Sequence, residues 1–304
     1  MTKLEGVFPV LITPMINEQE IDWDGFRNNI EHFISKNVAG IAITGSTGEF
    51  VSLTKEERFK LVEIAVEQVN GRVTLVVGSA AETTADAIEF TQQAEKAGAD
   101  ASLLINSYYA HPKENEIYEH FKAVAESVNF PIMIYNNPFT TGVDISAETL
   151  LKVARDVDNI THIKESSGDI GKARDIARKG EGFIKVFCGS EDLALESLFV
   201  GATGWISVSG NIVPELTAEL YSSYQEGNLD RAWEIYDQIL PLCEFLEGSG
   251  KYVQIVKRTM ELQGLAGGPC RRPRLGLTEE EEATLNELLT NLDALKKVEG
   301  VVSK

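Results

Sequence analysis

With 304 residues, 43% of them hydrophobic and 25% charged, the chain can bury one large domain of about 200–250 residues and carry an appendage besides. Its formal net charge of -19 excludes non-specific binding to nucleic acid or to an acidic membrane face, since both need basic surface. Three scattered cysteines, Cys188, Cys243 and Cys270, offer neither a disulfide framework nor a CxxC metal site, which suits a reducing cytoplasm.

Met1 to Val10 lacks the basic start and long apolar run of a signal peptide, and no apolar run approaches membrane-spanning length. The segment from Gly6 to Pro14 is apolar and β-rich, and proline ends it as a first buried strand. Helical spacing follows over 22–35 (Phe26, Ile30, Phe33, Ile34), then a second strand over 40–44. Gly45-Ser46-Thr47-Gly48-Glu49 closes that strand, and Thr54 with Glu57 predicts a capping box for the next helix. Further strands are predicted over 73–77, 101–105, 131–135, 160–164, 183–187 and 204–207, with helices between them. Helices also end near Gly40, Gly98 and Gly201, where a glycine lets the chain turn into the next strand.

Eight short apolar strands alternating with helices predict an α/β fold, a (β/α)8 TIM barrel, over residues 1–226. A doubly wound open sheet is the rival, but Thr13-Pro14-Met15 after the first strand cannot cradle a pyrophosphate. Residues 227–304 read as a C-terminal helical region, with a helix stop at Gly264 to Pro269.

In a barrel, residues at the C-terminal strand ends face one another across the mouth. Here those ends supply hydroxyls, amides and one amine, Lys164, with no metal-binding cluster. An isolated lysine at a strand end is ordinarily solvated. Among apolar strand residues, though, it is costly to keep charged, and the neutral amine is a nucleophile toward a ketone. The resulting imine is an electron sink for breaking an adjacent C–C bond or eliminating water. Tyr135, at the end of the neighbouring strand, can shuttle the protons that imine formation needs. Ser46 and Thr47, with the backbone N–H groups of their glycine-flanked turn, can hold a carboxylate. Together these residues predict a pocket for a small 2-oxo acid, needing neither metal nor cofactor. His162, two residues before Lys164, reads chiefly as a barrel-core histidine, and His32, His111 and His120 as solvated.

Gly45 to Glu49, Tyr135-Asn136-Asn137-Pro138 and Ile163 to Asp169 occur in this order on the second, fifth and sixth strands. In this the chain resembles the dihydrodipicolinate synthase/N-acetylneuraminate lyase family of Schiff-base-forming barrels, from Gly6 to about Leu277. The resemblance implies Lys164 as the Schiff-base lysine and Tyr135 as the proton relay. It also implies Ser46 and Thr47 as a carboxylate clamp, with backbone help from Gly189 and Ile206. Tyr109 is implied as a tyrosine inserted into a neighbouring subunit's site, in a homotetramer built from tight dimers.

The chain departs from the synthases of that family at Thr140, where they carry an arginine for the incoming aldehyde's carboxylate. One hydroxyl cannot replace a bidentate guanidinium. The sequence therefore points first to cleavage, dehydration or deamination of a hydroxylated 2-oxo acid or cyclic imino acid, with Thr140 among the substrate-binding residues. The compounds in view are a 2-keto-3-deoxy sugar acid or a hydroxyproline-derived pyrroline carboxylate. The alternatives are 4-hydroxy-tetrahydrodipicolinate synthase and N-acetylneuraminate lyase. A barrel that only binds a metabolite is the rival from another class, and the Lys164–Tyr135 pair argues against it.

Overall fold

The computed structural model describes residues 4–295. Residues 1–3 and 296–304, the outer ends of the two predicted regions, lie outside the described residues. The first half runs β1 (Gly6–Pro9), α1 (Trp23–Ser35), β2 (Gly40–Ile43), α2 (Lys55–Val69), β3 (Thr74–Gly78), α3 (Thr84–Ala97), β4 (Ala101–Ile105) and α4 (Glu114–Glu126). It continues through β5 (Ile132–Asn136), a one-turn α5 (Pro138–Thr141), α6 (Ala147–Asp156), β6 (Ile160–Glu165), α7 (Ile170–Lys179), β7 (Lys185–Cys188), α8 (Ala194–Phe199) and β8 (Gly204–Ser207). Four helices follow: α9 (Pro214–Gln225), α10 (Leu229–Gly248), α11 (Tyr252–Leu262) and α12 (Glu279–Asn291).

The strands pair in parallel in the order β1-β8-β7-β6-β5-β4-β3-β2. Val10 bridges Ala42 across the remaining seam, where the Leu11 N–H donates to the Ala42 carbonyl at 2.8 Å. The fold is thus the predicted (β/α)8 barrel with C-terminal helices. Two apolar layers hold it. Outward strand residues such as Ile41, Ile134 and Ile163 pack under the helices, and inward ones such as Phe8, Val76, Met133, Phe187 and Ile206 fill the barrel.

Local signals in the sequence set several element ends. Thr54 and Glu57 form the expected capping box on α2, and the Asp169 side chain accepts the Lys172 N–H to start α7. Gly98 ends α3 in the left-handed region as expected, but after α1 that conformation belongs to Asn37. Gly40 is small for another reason: a Cβ there would lie 2.1 Å from the Phe8 ring.

One strand differs from its simple alternation. In β6, Ile160 joins Ile163 in the outer layer, although strict alternation puts it on the Lys164 side. The register shifts between Ile132 and Met133, so that Thr161 is bulged and His162 and Lys164 keep the inward face.

The C-terminal helices extend the barrel domain upward. α10 buries Ala232, Ile235, Ile239 and Leu242 and packs against α9, and its last turn reaches the mouth. From α11, Lys257 reaches the buried Glu49 of the β2 loop at 2.5 Å.

Candidate active site

The C-terminal ends of the strands open into a cavity of about 830 Å³ whose wall includes Ser46, Thr47, Tyr135, Lys164, Gly189 and Thr140. Lys164 lies near the end of β6, buried, with Nζ 4.1 Å from the centre of the Tyr135 ring on the adjacent strand. Glycine at 189 makes room for it. A Cβ there would lie 2.6 Å from Lys164 Cε and 1.9 Å from Ser166 Oγ. The Tyr135 hydroxyl accepts the Asn137 side-chain N–H at 2.7 Å, which fixes its direction.

The clamp loop is held from below and behind. Thr44, in the left-handed region at φ 50°, turns the chain into Gly45-Ser46-Thr47, and its hydroxyl donates to the Gly78 carbonyl. Thr13 Oγ1 donates to the Gly48 carbonyl at 2.8 Å. Glu49, also at positive φ, anchors the loop to Lys257 of α11. Thr47 is buried and Ser46 half-buried at the cavity wall, which Tyr252 of α11 also lines. Burial and the nearby Tyr135 raise the Tyr252 hydroxyl well above the ordinary tyrosine range, so it stays protonated.

On the other flank, beyond β7, the wall turns acidic. Glu191 is buried and its carboxylate accepts the Val208 N–H at 2.6 Å, the Ser209 N–H at 2.9 Å and the Ser209 hydroxyl at 2.6 Å. Burial raises its proton affinity while these donors and Lys164 act against the rise. Asp192, Glu244 and Glu247 line the same side. No arginine lines the cavity, and Lys164 is its one basic residue among the described residues.

Not every predicted residue reaches this wall. Ser46, Thr47, Tyr135, Thr140, Lys164 and Gly189 do. The Ile206 side chain is fully buried inside the barrel, the role expected there being its backbone's, and Val208 lines the wall two residues on. Tyr109 projects from the loop after β4 with 86% of its surface exposed, outside the cavity. His162 lies beneath, edge-on to Phe187, with Nδ1 2.8 Å from the Thr161 hydroxyl. Burial lowers its pKa to about 4, which leaves it a neutral core histidine. His120 was read as solvated, but it is buried with Nδ1 3.0 Å from Thr84 Oγ1.

Glu244, Glu247 and Tyr252 escaped sequence reasoning because they come from helices beyond the barrel. Only the Gly248-Ser249-Gly250 break between two amphipathic helices hinted that the chain doubles back there. A second cavity of about 780 Å³ lies at the opposite, N-terminal end of the barrel. Its wall, with Glu5, Arg72 and Tyr221, brings no such constellation together. Among the described residues no group of three or more His, Cys, Asp or Glu side chains is gathered to hold a metal. None of the described helices is long and apolar enough to cross a membrane.

Residues 3–292 match the model of the dihydrodipicolinate synthetase family. A 4-hydroxy-tetrahydrodipicolinate synthase of Methanothrix thermoacetophila is 38% identical over 293 residues, covering 95% of this chain and 97% of the relative. The chloride-inhibited dihydrodipicolinate synthase of Acinetobacter baumannii, solved with pyruvate, superposes with a TM-score of 0.92 at 30% identity, covering 96% of this chain and 100% of that one. A structure described as the first monomeric dihydrodipicolinate synthase variant superposes with a TM-score of 0.91 at 28% identity, covering 97% and 98%. These names favour the synthase reading, which the sequence placed second, over the sugar-acid or imino-acid reading it placed first.

Proposed function

The chain belongs to the dihydrodipicolinate synthetase family, a lyase of the Schiff-base aldolase type, and we propose that Lys164 carries its chemistry on pyruvate or a close 2-oxo acid. One observation carries this reading: a buried amine directly over the Tyr135 ring, in a cavity whose far wall presents Ser46 and Thr47. Ser46 and Thr47 hold the carboxylate, which sets the ketone carbon before Lys164 Nζ. The amine adds to that carbon, and the carbinolamine loses its oxygen as water to give the imine. The Tyr135 hydroxyl, aimed by Asn137, gives and takes the protons of these steps. Loss of a proton from the methyl carbon then yields an enamine, which attacks an aldehyde carbon.

Aspartate semialdehyde is the first aldehyde to test, because the relatives carry the synthase name. A second reading rests on a specific observation. Thr140 stands on the wall where an arginine would serve that substrate's carboxylate, and the wall opposite carries Asp192, Glu244 and Glu247. Such a lining opposes an anionic distal group and suits hydroxyls, so cleavage or dehydration of a hydroxylated 2-oxo acid is the alternative.

A coupled assay separates the two: pyruvate with aspartate semialdehyde, beside 2-keto-3-deoxy sugar acids and pyrroline-4-hydroxy-2-carboxylate. Efficient condensation with aspartate semialdehyde alone supports the synthase. Turnover of the hydroxylated compounds with little condensation supports the alternative.

A further inference from the structure

Glu247 occupies the last turn of α10 and lines the cavity that holds Lys164. Its Oε1 accepts the backbone N–H of Glu191 at 2.7 Å, tying the helix end to the loop after β7. By accessible surface Glu247 is exposed, its carboxyl open to the cavity, but the helix end and the Glu191 loop displace part of the water around it. Burial, reinforced by the negative charges of Glu191 and Asp192, raises its pKa to about 7; the Glu191 N–H and Lys164 act in the opposite direction.

The other polar groups on this wall narrow the choice. Glu191 is fully engaged by the donors of Val208 and Ser209, so it cannot serve a substrate without breaking its own bonds. Tyr252, across from Glu247, stays protonated. Glu244 comes from the same helix one turn earlier, and Asp192 from the β7 loop. In the ladder Lys164 is flanked by Tyr135 on one side and Phe187 on the other, and Glu247 arrives with the loop beyond Phe187. Tyr135 thus belongs to the strand on one side of Lys164, and Glu247 is tied to the loop that follows the strand on the other.

We propose that Glu247 is a second acid and base of the reaction, serving the oxygen of the reactant that meets the enamine. In condensation the enamine carbon bonds to the aldehyde carbon, the aldehyde π electrons move to oxygen, and Glu247 gives that oxygen its proton. In cleavage the carboxylate takes the proton from the hydroxyl as the C–C bond breaks toward the imine. Tyr135 is left with the protons of imine formation. The proposal rests on the Schiff-base reading of Lys164. An acid whose two forms are both present near neutral pH is suited to either direction.

Glu247→Gln tests it, because the amide oxygen still accepts the Glu191 N–H but the group no longer exchanges a proton. Two readouts need only Lys164 and Tyr135: borohydride trapping of pyruvate, and exchange of the pyruvate methyl protons in deuterated water. Both should match wild type. Condensation of pyruvate with aspartate semialdehyde or with glyceraldehyde, whichever wild type performs, should fall about 10²–10⁴-fold in kcat with KM for pyruvate unchanged. In wild type the condensation kcat should fall as pH rises through about 7, where Glu247 loses its proton, and the variant should lack that limb. Glu247→Asp should recover part of the rate.

A Gln variant that keeps the condensation rate and its pH limb would overturn the proposal and leave Glu247 as an anchor for the Glu191 loop. Equal loss of exchange and condensation would also overturn it, since the damage would then be general. So would a wild type that traps pyruvate but condenses with neither aldehyde. A wild type that never traps pyruvate would instead remove the Schiff-base reading on which all of this rests.

Discussion

Lys164 and Gly189 are fitted to each other at the level of single atoms. Any side chain at 189 would enter the space of Lys164 Cε and Ser166 Oγ. Gly189→Ala should therefore displace the amine and cut turnover far more than it lowers the melting temperature, which steady-state kinetics and thermal unfolding together would show. Tyr135→Phe separates ring from hydroxyl in the same way. The ring that packs over Lys164 remains, while the proton relay bonded to Asn137 is lost. Turnover should drop about 10²–10⁴-fold with the melting temperature nearly unchanged. These residues were legible in the sequence because each sits at a strand end, where alternation and a following glycine or proline mark the position. Glu247 was not. Nothing local distinguishes it from the solvated glutamates of an acidic chain, and only the path of α10 brings it to the mouth.

Among the elements, the β2 loop and α11 depend on each other. Glu49 and Lys257 are both buried and form an ion pair at 2.5 Å, with the Arg271 N–H also reaching Glu49 at 3.3 Å. Removing Lys257 leaves the buried Glu49, among the described residues, only Arg274 at 3.8 Å as a cation, so Lys257→Met should cost up to about 3–5 kcal/mol by denaturant titration. Because Glu49 closes the Gly45–Glu49 turn, the same change should also weaken pyruvate binding through Ser46 and Thr47. A variant as stable as wild type would show that the loop stands without the helix. The sequence displayed the Gly-Ser-Thr-Gly-Glu motif but not this tether, since its two ends are over two hundred residues apart. It likewise showed strand β6 without its bulge, because a single shifted residue leaves the apolar pattern almost intact.

For the whole molecule, the barrel was the most readable feature: eight apolar runs at regular spacing admit few other arrangements. The assembly was less so. The apolar residues Ile235, Ile239 and Leu242 of α10 are buried within their own chain and offer a partner subunit no surface. The exposed apolar side chains include Trp233, stacked on Phe199 with ring centres 6.0 Å apart, Phe139 and Tyr109. A homotetramer remains the proposal, with Tyr109 reaching a neighbour's cavity. If it holds, Trp233→Lys should lower the molar mass by light scattering, and Tyr109→Phe should reduce turnover at unchanged mass. A fully active monomer at assay concentration would contradict both.

The central claim is that Lys164 forms an imine with a 2-oxo acid, and it is tested most directly by trapping. The protein is incubated with pyruvate, reduced with borohydride, digested and mapped by mass spectrometry. The predicted result is a stable adduct on the peptide that contains Lys164, absent from Lys164→Ala and from a control without pyruvate. An adduct on a different lysine, or none on a folded protein, would contradict the account.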